Sequence, residues 1–123
     1  MKVLKNLQLK TLVLGPVSTN CYLLKNRESG ALLIIDPADR PERIRQEITE
    51  LQGEPEAILL THGHFDHIGA VSDLKRFYGI PVFALDVEEE VLSDPEKNLT
   101  CWNGGGYTLE PDRFLTDQDR LIL

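Results

Sequence analysis

The fold is decided by one short stretch of sequence, Thr61-His62-Gly63-His64-Phe65-Asp66-His67. It contains all 3 histidines of the chain. A short apolar run, residues 57–60, leads into it, and apolar residues recur at helical spacing over residues 68–78 behind it. The short run is typical of a buried strand, and the longer spacing is typical of an amphipathic helix. The sequence therefore predicts a strand, a tight loop that carries the histidines, and then a helix.

The order of residues in this loop predicts metal binding. Alternate residues of an extended segment point to the same side, so His62 and His64 can bind one metal ion together. Asp66 and His67 follow where the chain turns into the helix, and they can face the same cavity from a second direction. Neutral imidazole and carboxylate groups suit zinc, with iron and manganese as alternatives. Gly63 is expected where the backbone passes close to the ion.

Histidine-rich tracts do not always bind metal. Such a tract can be a purification tag, and an isolated histidine is more often a surface residue or a satisfied core residue. The tract in this chain is internal, and a predicted strand and a predicted helix frame it. These features favour metal binding.

The pattern His-x-His-x-Asp-His at residues 62–67 resembles the signature of the metallo-β-lactamase superfamily, above all that of its glyoxalase II-like (hydroxyacylglutathione hydrolase-like) branch. Residues 15–22 resemble the first hairpin of that branch. Residues 34–38, Ile-Ile-Asp-Pro-Ala, resemble its Asp-Pro-Gly turn, with Ala38 in place of the glycine. Residues 94–99 resemble a segment of small bacterial members. The resemblance extends over the whole chain, and the histidine motif is its most specific part.

The resemblance implies an α/β fold with α+β layering. The expected architecture is the N-terminal half of a metallo-β-lactamase αββα sandwich, with a mixed sheet and helices on one face. Residues 1–123 are expected to form a single domain that lacks the C-terminal half of the family fold. The order of the predicted elements agrees with a layered fold, because strands come first as a meander and then alternate with helices.

The resemblance also implies a metal-dependent hydrolase. The expected reaction is hydrolysis of a thioester of the hydroxyacylglutathione type, by a hydroxide that up to two divalent ions hold. Asp66 is the expected catalytic residue, because in the family it ligates the second ion and orients that hydroxide. The expected partner is a small-molecule acyl or thioester substrate.

The ligand set of this chain is incomplete. A catalytic zinc ion typically takes three protein ligands and water, and a structural one takes four. His62 and His64 are assigned to one ion here, and Asp66 and His67 to its neighbour. Members of the resembled branch have further ligands in a second half. This chain is therefore expected to carry part of the metal site.

Three other residues are weaker ligand candidates. Asp36 can approach the ions from a neighbouring strand end, but a hydrogen bond to a ligating histidine is the role we expect for it. Cys21 and Cys101 can ligate as thiolates, whereas a buried cysteine is usually a small apolar side chain of the core.

Composition excludes several classes of protein. A chain of 123 residues is long enough for one domain with a modest core. Its net charge of −7 argues against a nucleic-acid partner, since phosphate binding needs clustered Lys and Arg. No apolar run approaches the length of a membrane span, so no membrane partner is expected. The 2 cysteines form no disulfide framework and no secretory segment opens the chain, which predicts a reducing cytoplasm.

Turn and capping residues divide the rest of the chain. Strands are predicted at residues 7–14, 20–25, 31–35, 57–60 and 80–85, with a last one within residues 114–123.

The first helix is predicted to start at Asp39, with Glu42 as its capping-box partner. Pro41 lies in its first turn, and Gly53 is expected to close it. The second helix, residues 68–78, is expected to stop at the following glycine.

Two further segments are predicted near the end of the chain. Asp86 is expected to cap a short acidic helix that runs through residue 92. Residues 100–108 are glycine-rich and predict a loop, whose Trp102 either contacts substrate or anchors the loop.

Three hypotheses follow for the chain as a whole. The first is the N-terminal portion of a glyoxalase II-like metallohydrolase, expected to be weakly active or inactive as this chain alone. The second is a non-catalytic half-domain that forms a homodimer or binds another partner, because one half of the parent fold leaves an apolar sheet face bare. The third is a structural remnant that binds no metal.

Overall fold

A computed structural model describes residues 6–100, 106 and 108–116. The strands in this part of the chain are β1 (Leu7–Leu14), β2 (Thr19–Asn26), β3 (Ala31–Ile35), β4 (Glu54–Leu60), β5 (Val82–Leu85) and β6 (Arg113–Leu115). The helices are α1 (Pro41–Leu51), α2 (Phe65–Ile68), α3 (Val71–Tyr78) and α4 (Glu89–Leu92), the last preceded by a 3₁₀ turn, Asp86–Glu88.

The strands form one mixed sheet whose spatial order is the order of the chain, β1 to β6. The first three strands pair antiparallel, as expected for a meander. From β3 onward each neighbouring pair is parallel, so each connection must cross back over the sheet. Helix α1 makes the first crossover, α2 and α3 make the second, and the 3₁₀ turn with α4 makes the third. The predicted α/β fold with a mixed sheet is confirmed.

One face of the sheet carries the core. Alternate residues of each strand point to this face. The apolar cluster combines those residues with the buried residues of the helices: Leu12, Leu14, Cys21, Leu23, Leu32, Ile34, Ile58, Leu60, Val82 and Ala84 of the strands, and Ile44, Ile48, Ile68, Val71, Leu74 and Leu92 of the helices. The described helices therefore lie on one face, as predicted.

The other face of the sheet is less well covered by the residues that the structure describes. The apolar side chains Leu24, Leu33 and Leu59 on this face are half-buried. Leu9 and Val13 of β1 are 59% and 60% exposed. A row of apolar residues thus lines the face opposite to the helices.

The predicted start of the first helix is wrong. Arg40 precedes the helix, in a left-handed conformation with φ of 54°, and no side-chain cap is present. The side chain of Asp39 instead accepts a hydrogen bond from the Arg40 N–H at 2.8 Å, which is a local turn. Pro41 does occupy the first turn. At the other end Gln52, with φ of 56°, takes the left-handed position that was expected of Gly53.

The predicted helix over residues 68–78 is also wrong at its start, because it is broken into α2 and α3. The N–H of Ala70 donates to the Pro37 carbonyl at 2.8 Å and so leaves the helical pattern. A Cβ atom on Gly69 would lie 2.0 Å from the carbonyl oxygen of Ala38. The helix breaks because the loop after β3 crosses it at this point.

The last predicted segments agree only in part. Asp86 begins a 3₁₀ turn without a side-chain cap, and the α-helix starts at Glu89. Strand β6 confirms the beginning of the last predicted strand, whereas residues 117–123, Cys101 and Trp102 lie outside the described residues. No helix in the described ranges is long and apolar enough to cross a membrane, and the cytoplasmic location stays a prediction.

Candidate metal centre

The histidine loop lies at one edge of the sheet, where two parallel strands end. Asp36 directly follows β3, and Thr61 directly follows β4. The carboxyl ends of neighbouring parallel strands meet at the same edge, which is where sites in α/β sheets form. The parallel pairing of β3 and β4 therefore brings Asp36 next to the loop that carries the histidines.

Asp36 connects the end of β3 to the histidine loop through hydrogen bonds. It is 3% exposed, and its carboxylate accepts three hydrogen bonds. The Thr61 N–H donates to Oδ1 at 2.7 Å, and the Thr61 hydroxyl donates to Oδ2. His67 Nδ1 lies 3.0 Å from the same Oδ2. The structure thus has the predicted hydrogen bond between Asp36 and a histidine, and metal binding by that histidine stays a prediction.

These bonds determine which ring nitrogens carry protons. A carboxylate only accepts, so His67 must donate from Nδ1. Thr61 Oγ1 gives its single proton to Asp36, so its contact of 3.0 Å with His62 Nδ1 requires a proton on that nitrogen as well. Both imidazoles, when neutral, therefore carry their lone pair on Nε2. A histidine whose Nδ1–H is hydrogen-bonded in this way can bind a metal ion through Nε2.

Asp66 is positioned by a different part of the chain. Thr19, at the start of β2, donates from its hydroxyl to Asp66 Oδ2 at 3.2 Å. His67 Nε2 lies 3.4 Å from the same oxygen. The side chains of Asp66 and His67 are 24% and 21% exposed, so both reach solvent. The structure thus brings these two predicted ligands together.

The three imidazole rings lie close together. The rings of His62 and His67 are stacked, with their centroids 4.7 Å apart and their planes 18° apart. The rings of His62 and His64 are 6.4 Å apart. His64 is the residue immediately before α2, in an extended conformation. All four predicted ligands are therefore at one edge of the sheet.

The side chains gathered at this edge are of the chemical types that bind divalent cations. Imidazole nitrogens with free lone pairs and a partly exposed carboxylate are ligands of zinc and of the related transition metals. Among the described residues, no three His, Cys, Asp or Glu side chains are arranged so that they could hold one ion. The assignment of two ligands to each ion stays a prediction.

Cys21 is part of the core. It is fully buried, and it packs within the apolar cluster. Burial, and then the charge of Asp36, raise the pKa of the Cys21 thiol to about 12. The thiol is therefore protonated at neutral pH, which confirms the predicted apolar role.

Sequence reasoning missed the residues that hold the loop from outside. Glu88 accepts the Gly63 N–H at 2.8 Å, and the Asn98 carbonyl accepts the Phe65 N–H at 2.7 Å. A Cβ atom on Gly63 would lie 2.9 Å from Leu92 Cγ, so helix α4 explains the glycine here. The only signal in the sequence was the family resemblance of residues 94–99, which does not reveal a contact.

Comparison with known proteins agrees with this geometry. The sequence model of the metallo-beta-lactamase superfamily matches residues 14–122. The chain belongs to the metallo-β-lactamase superfamily. Hydroxyacylglutathione hydrolase GloC of Haemophilus influenzae is 40% identical over 105 residues, 84% of this chain and 49% of that protein. The resemblance stated from the histidine motif is confirmed.

Solved structures of this superfamily share the fold. The BLEG-1 B3 metallo-beta-lactamase has a TM-score of 0.82 at 37% identity, over 94% of this chain and 56% of that one. TTHA1623, in a di-iron-bound form, has a TM-score of 0.75 at 32% identity, over 91% of this chain and 56% of that one. The chain spans about half the length of the curated relatives that it matches.

The role of Asp36 leads to a first prediction. Asp36→Asn replaces one acceptor oxygen by an amide nitrogen that donates, so either the Thr61 N–H loses its acceptor, or the Thr61 hydroxyl and His67 lose the one that they share. We expect the free energy of unfolding in urea to fall by about 3 kcal/mol. Long-range ¹H–¹⁵N NMR should also show that the tautomer of His67 with its proton on Nδ1 is no longer the main form.

Asp39→Asn is the matched control, because Asp39 is exposed and its side chain accepts a local hydrogen bond from the Arg40 N–H. It should leave both measurements close to those of the wild type. An Asp36→Asn protein with unchanged stability and unchanged His67 protonation would contradict the role assigned to Asp36.

Proposed function

We propose that this chain carries part of the metal site of a hydrolase that cleaves thioesters of the hydroxyacylglutathione type. The observation that carries the proposal is the set of hydrogen bonds that runs from Asp36 through Thr61 to His62 and directly to His67. It places the lone pairs of neutral His62 and His67 on Nε2 at the same edge of the sheet, where His67 Nε2 lies 3.4 Å from Oδ2 of the proposed ligand Asp66. Membership of the superfamily supports hydrolysis as the reaction class.

The proposed ligands are His62 and His64 for one ion, and Asp66 and His67 for the second. Zinc is the first choice for this donor set, and iron and manganese are the alternatives. The di-iron form of a relative 32% identical to this chain supports iron as a real alternative. Since imidazole–carboxylate sites accept several divalent ions, metal supply selects among them.

A divalent cation held by these residues would supply a nucleophile at neutral pH, by lowering the pKa of a water molecule, and would polarise the acyl carbonyl. The residues of the chain hold and orient the reactants. Thr19 holds Oδ2 of Asp66, and Oδ1 has no hydrogen-bond partner among the described residues. Oδ1 is therefore the atom that we assign to orienting the attacking water.

The substrate class rests on the relatives. The likeness to GloC, named a hydroxyacylglutathione hydrolase, supports a thioester substrate. A small acyl thioester also agrees with the net charge of −7, which disfavours a nucleic acid.

Metal retention tests the ligand assignment. We expect protein purified without a tag to retain zinc or iron, and His62→Ala or His64→Ala to lower the retained metal at least about tenfold. Metal content by mass spectrometry, relative to protein, is the measurement. Ser72→Ala, on α3 and away from the loop, is the control. Equal metal content in all four proteins would defeat the assignment.

Thioester hydrolysis tests the reaction class. We expect the metal-loaded wild type to release free thiol from lactoylglutathione only slowly, because the chain carries part of the site, and Asp66→Ala to lower that rate about 100-fold or more, because the water loses its orienting carboxylate. Asp73→Ala, an exposed residue of α3, should retain the wild-type rate. A wild type that retains metal but releases no thiol would reject thioester hydrolysis by this chain and leave metal binding intact.

The apolar sheet face that the described residues leave partly bare favours self-association as a second candidate function. Leu9 and Val13 are both more than half exposed on the face opposite to the helices. Apolar rows of this kind favour association, and most homo-oligomers are two-fold symmetric. We propose that two copies meet through this face.

Sedimentation equilibrium tests this second candidate. We expect a dimer for the wild type, and a monomer when Val13→Asp and Leu9→Asp are combined. Phe77→Asp is the matched control, since Phe77 is 60% exposed like Val13 but lies on a helix. A wild type that stays monomeric at high concentration would exclude the dimer.

A further inference from the structure

The segment from Asp86 to Asn98 lies along the outside of the histidine loop. Two backbone N–H groups of the loop donate to it. The Gly63 N–H donates to Glu88 Oε1 at 2.8 Å, and the Phe65 N–H donates to the Asn98 carbonyl at 2.7 Å. These two bonds flank His64 on either side. Contacts with residues about 25 to 33 positions later in the chain therefore hold this histidine in place.

The two bonds are of different kinds. The Asn98 carbonyl belongs to a fully buried residue, whose side chain also accepts from the N–H of Thr100 at 2.9 Å and from its hydroxyl at 2.7 Å. This half of the contact is built into the packed interior. Glu88 is half-buried, and it offers a charged side chain to a neutral N–H, which makes a stronger bond than a neutral acceptor would.

Glu88 acts on one particular peptide group. The Gly63 N–H belongs to the peptide that joins His62 to Gly63, so the bond to Glu88 determines the plane of that peptide. Leu92 and Val91 of α4 lie so close to Gly63 that they leave no room for a Cβ atom. The peptide between the two proposed ligands of the first ion is thus held by a bond and by packing together.

We propose that Glu88 is a positioning residue for the His62 and His64 pair, acting through the Gly63 N–H. This inference rests on the proposed metal site. Glu88 is not one of the proposed ligands, and it acts on them through its hydrogen bond with the Gly63 N–H. Its carboxylate keeps the loop in the shape that turns both imidazoles toward one ion, and a loop without it must be ordered into that shape when metal binds, at a cost in affinity.

Cobalt binding tests the proposal, because Co²⁺ at a histidine site has an absorption spectrum that reports ligand geometry. Glu88→Ala should bind Co²⁺ about tenfold more weakly than the wild type, in line with other residues that orient metal ligands, and with an altered spectrum. Glu88→Gln keeps a carbonyl acceptor and should retain most of the affinity. Glu89→Ala, its exposed neighbour, is the matched control and should bind like the wild type.

A second measurement uses the metal-free protein. Hydrogen exchange of the Gly63 amide should be at least about tenfold faster in Glu88→Ala than in the wild type or Glu89→Ala, because its acceptor is lost. Urea unfolding of the same proteins shows whether the whole fold has weakened. Faster exchange confined to the loop, with weaker Co²⁺ binding, is the expected result.

The outcomes separate the two proposals. If the wild type binds no Co²⁺, the proposed metal site fails, whatever Glu88 does to the Gly63 amide. If the wild type binds Co²⁺ and Glu88→Ala binds it equally well with the same spectrum, the positioning role of Glu88 is overturned while the metal site stands. Affinity lost in proportion to global stability, with no local change at Gly63, would also overturn it.

Discussion

A single buried carboxylate determines the shape of the functional edge of this protein. Asp36 is placed at the end of β3, in a left-handed conformation with φ of 52°, and it is almost completely removed from solvent. Burial of a charge is costly unless hydrogen bonds satisfy it. Thr61 and His67 supply those bonds. The loop between them must therefore keep its course, and the histidines keep their tautomers as a result.

The rest of the edge is assembled around this constraint by the topology of the sheet. The parallel pairing of β3 and β4 brings Asp36 to the loop. The hairpin between β1 and β2 brings Thr19 to Asp66. The break between α2 and α3, where Ala70 bonds to Pro37, lets the short α2 turn His67 back toward the strands. The positions of the proposed ligands thus depend on several contacts between distant parts of the chain.

The sequence predicted what depends on local pattern and missed what depends on distant contacts. Strands β1 and β3 match their predicted bounds, because alternation and a compact apolar run are local signals. The prediction of an N-cap at Asp39 was wrong because the loop after β3 bends to meet α2. Such a tertiary contact overrides the local preference of the sequence. The contact of Glu88 with Gly63 joins residues 25 positions apart, and no pattern in one sequence reveals it. The histidine loop was predictable because its residue types themselves carry the chemistry.

The proposed function requires that His62 and His67 bind a divalent cation through Nε2 while Thr61 and Asp36 hold their Nδ1 protons. Long-range ¹H–¹⁵N NMR of the histidine rings during a zinc titration tests this requirement most directly. We expect the Nε2 resonances of both residues to shift with zinc while both Nδ1 nitrogens remain protonated. Unchanged ring resonances at saturating zinc, or coordination through Nδ1 of either residue, would contradict it.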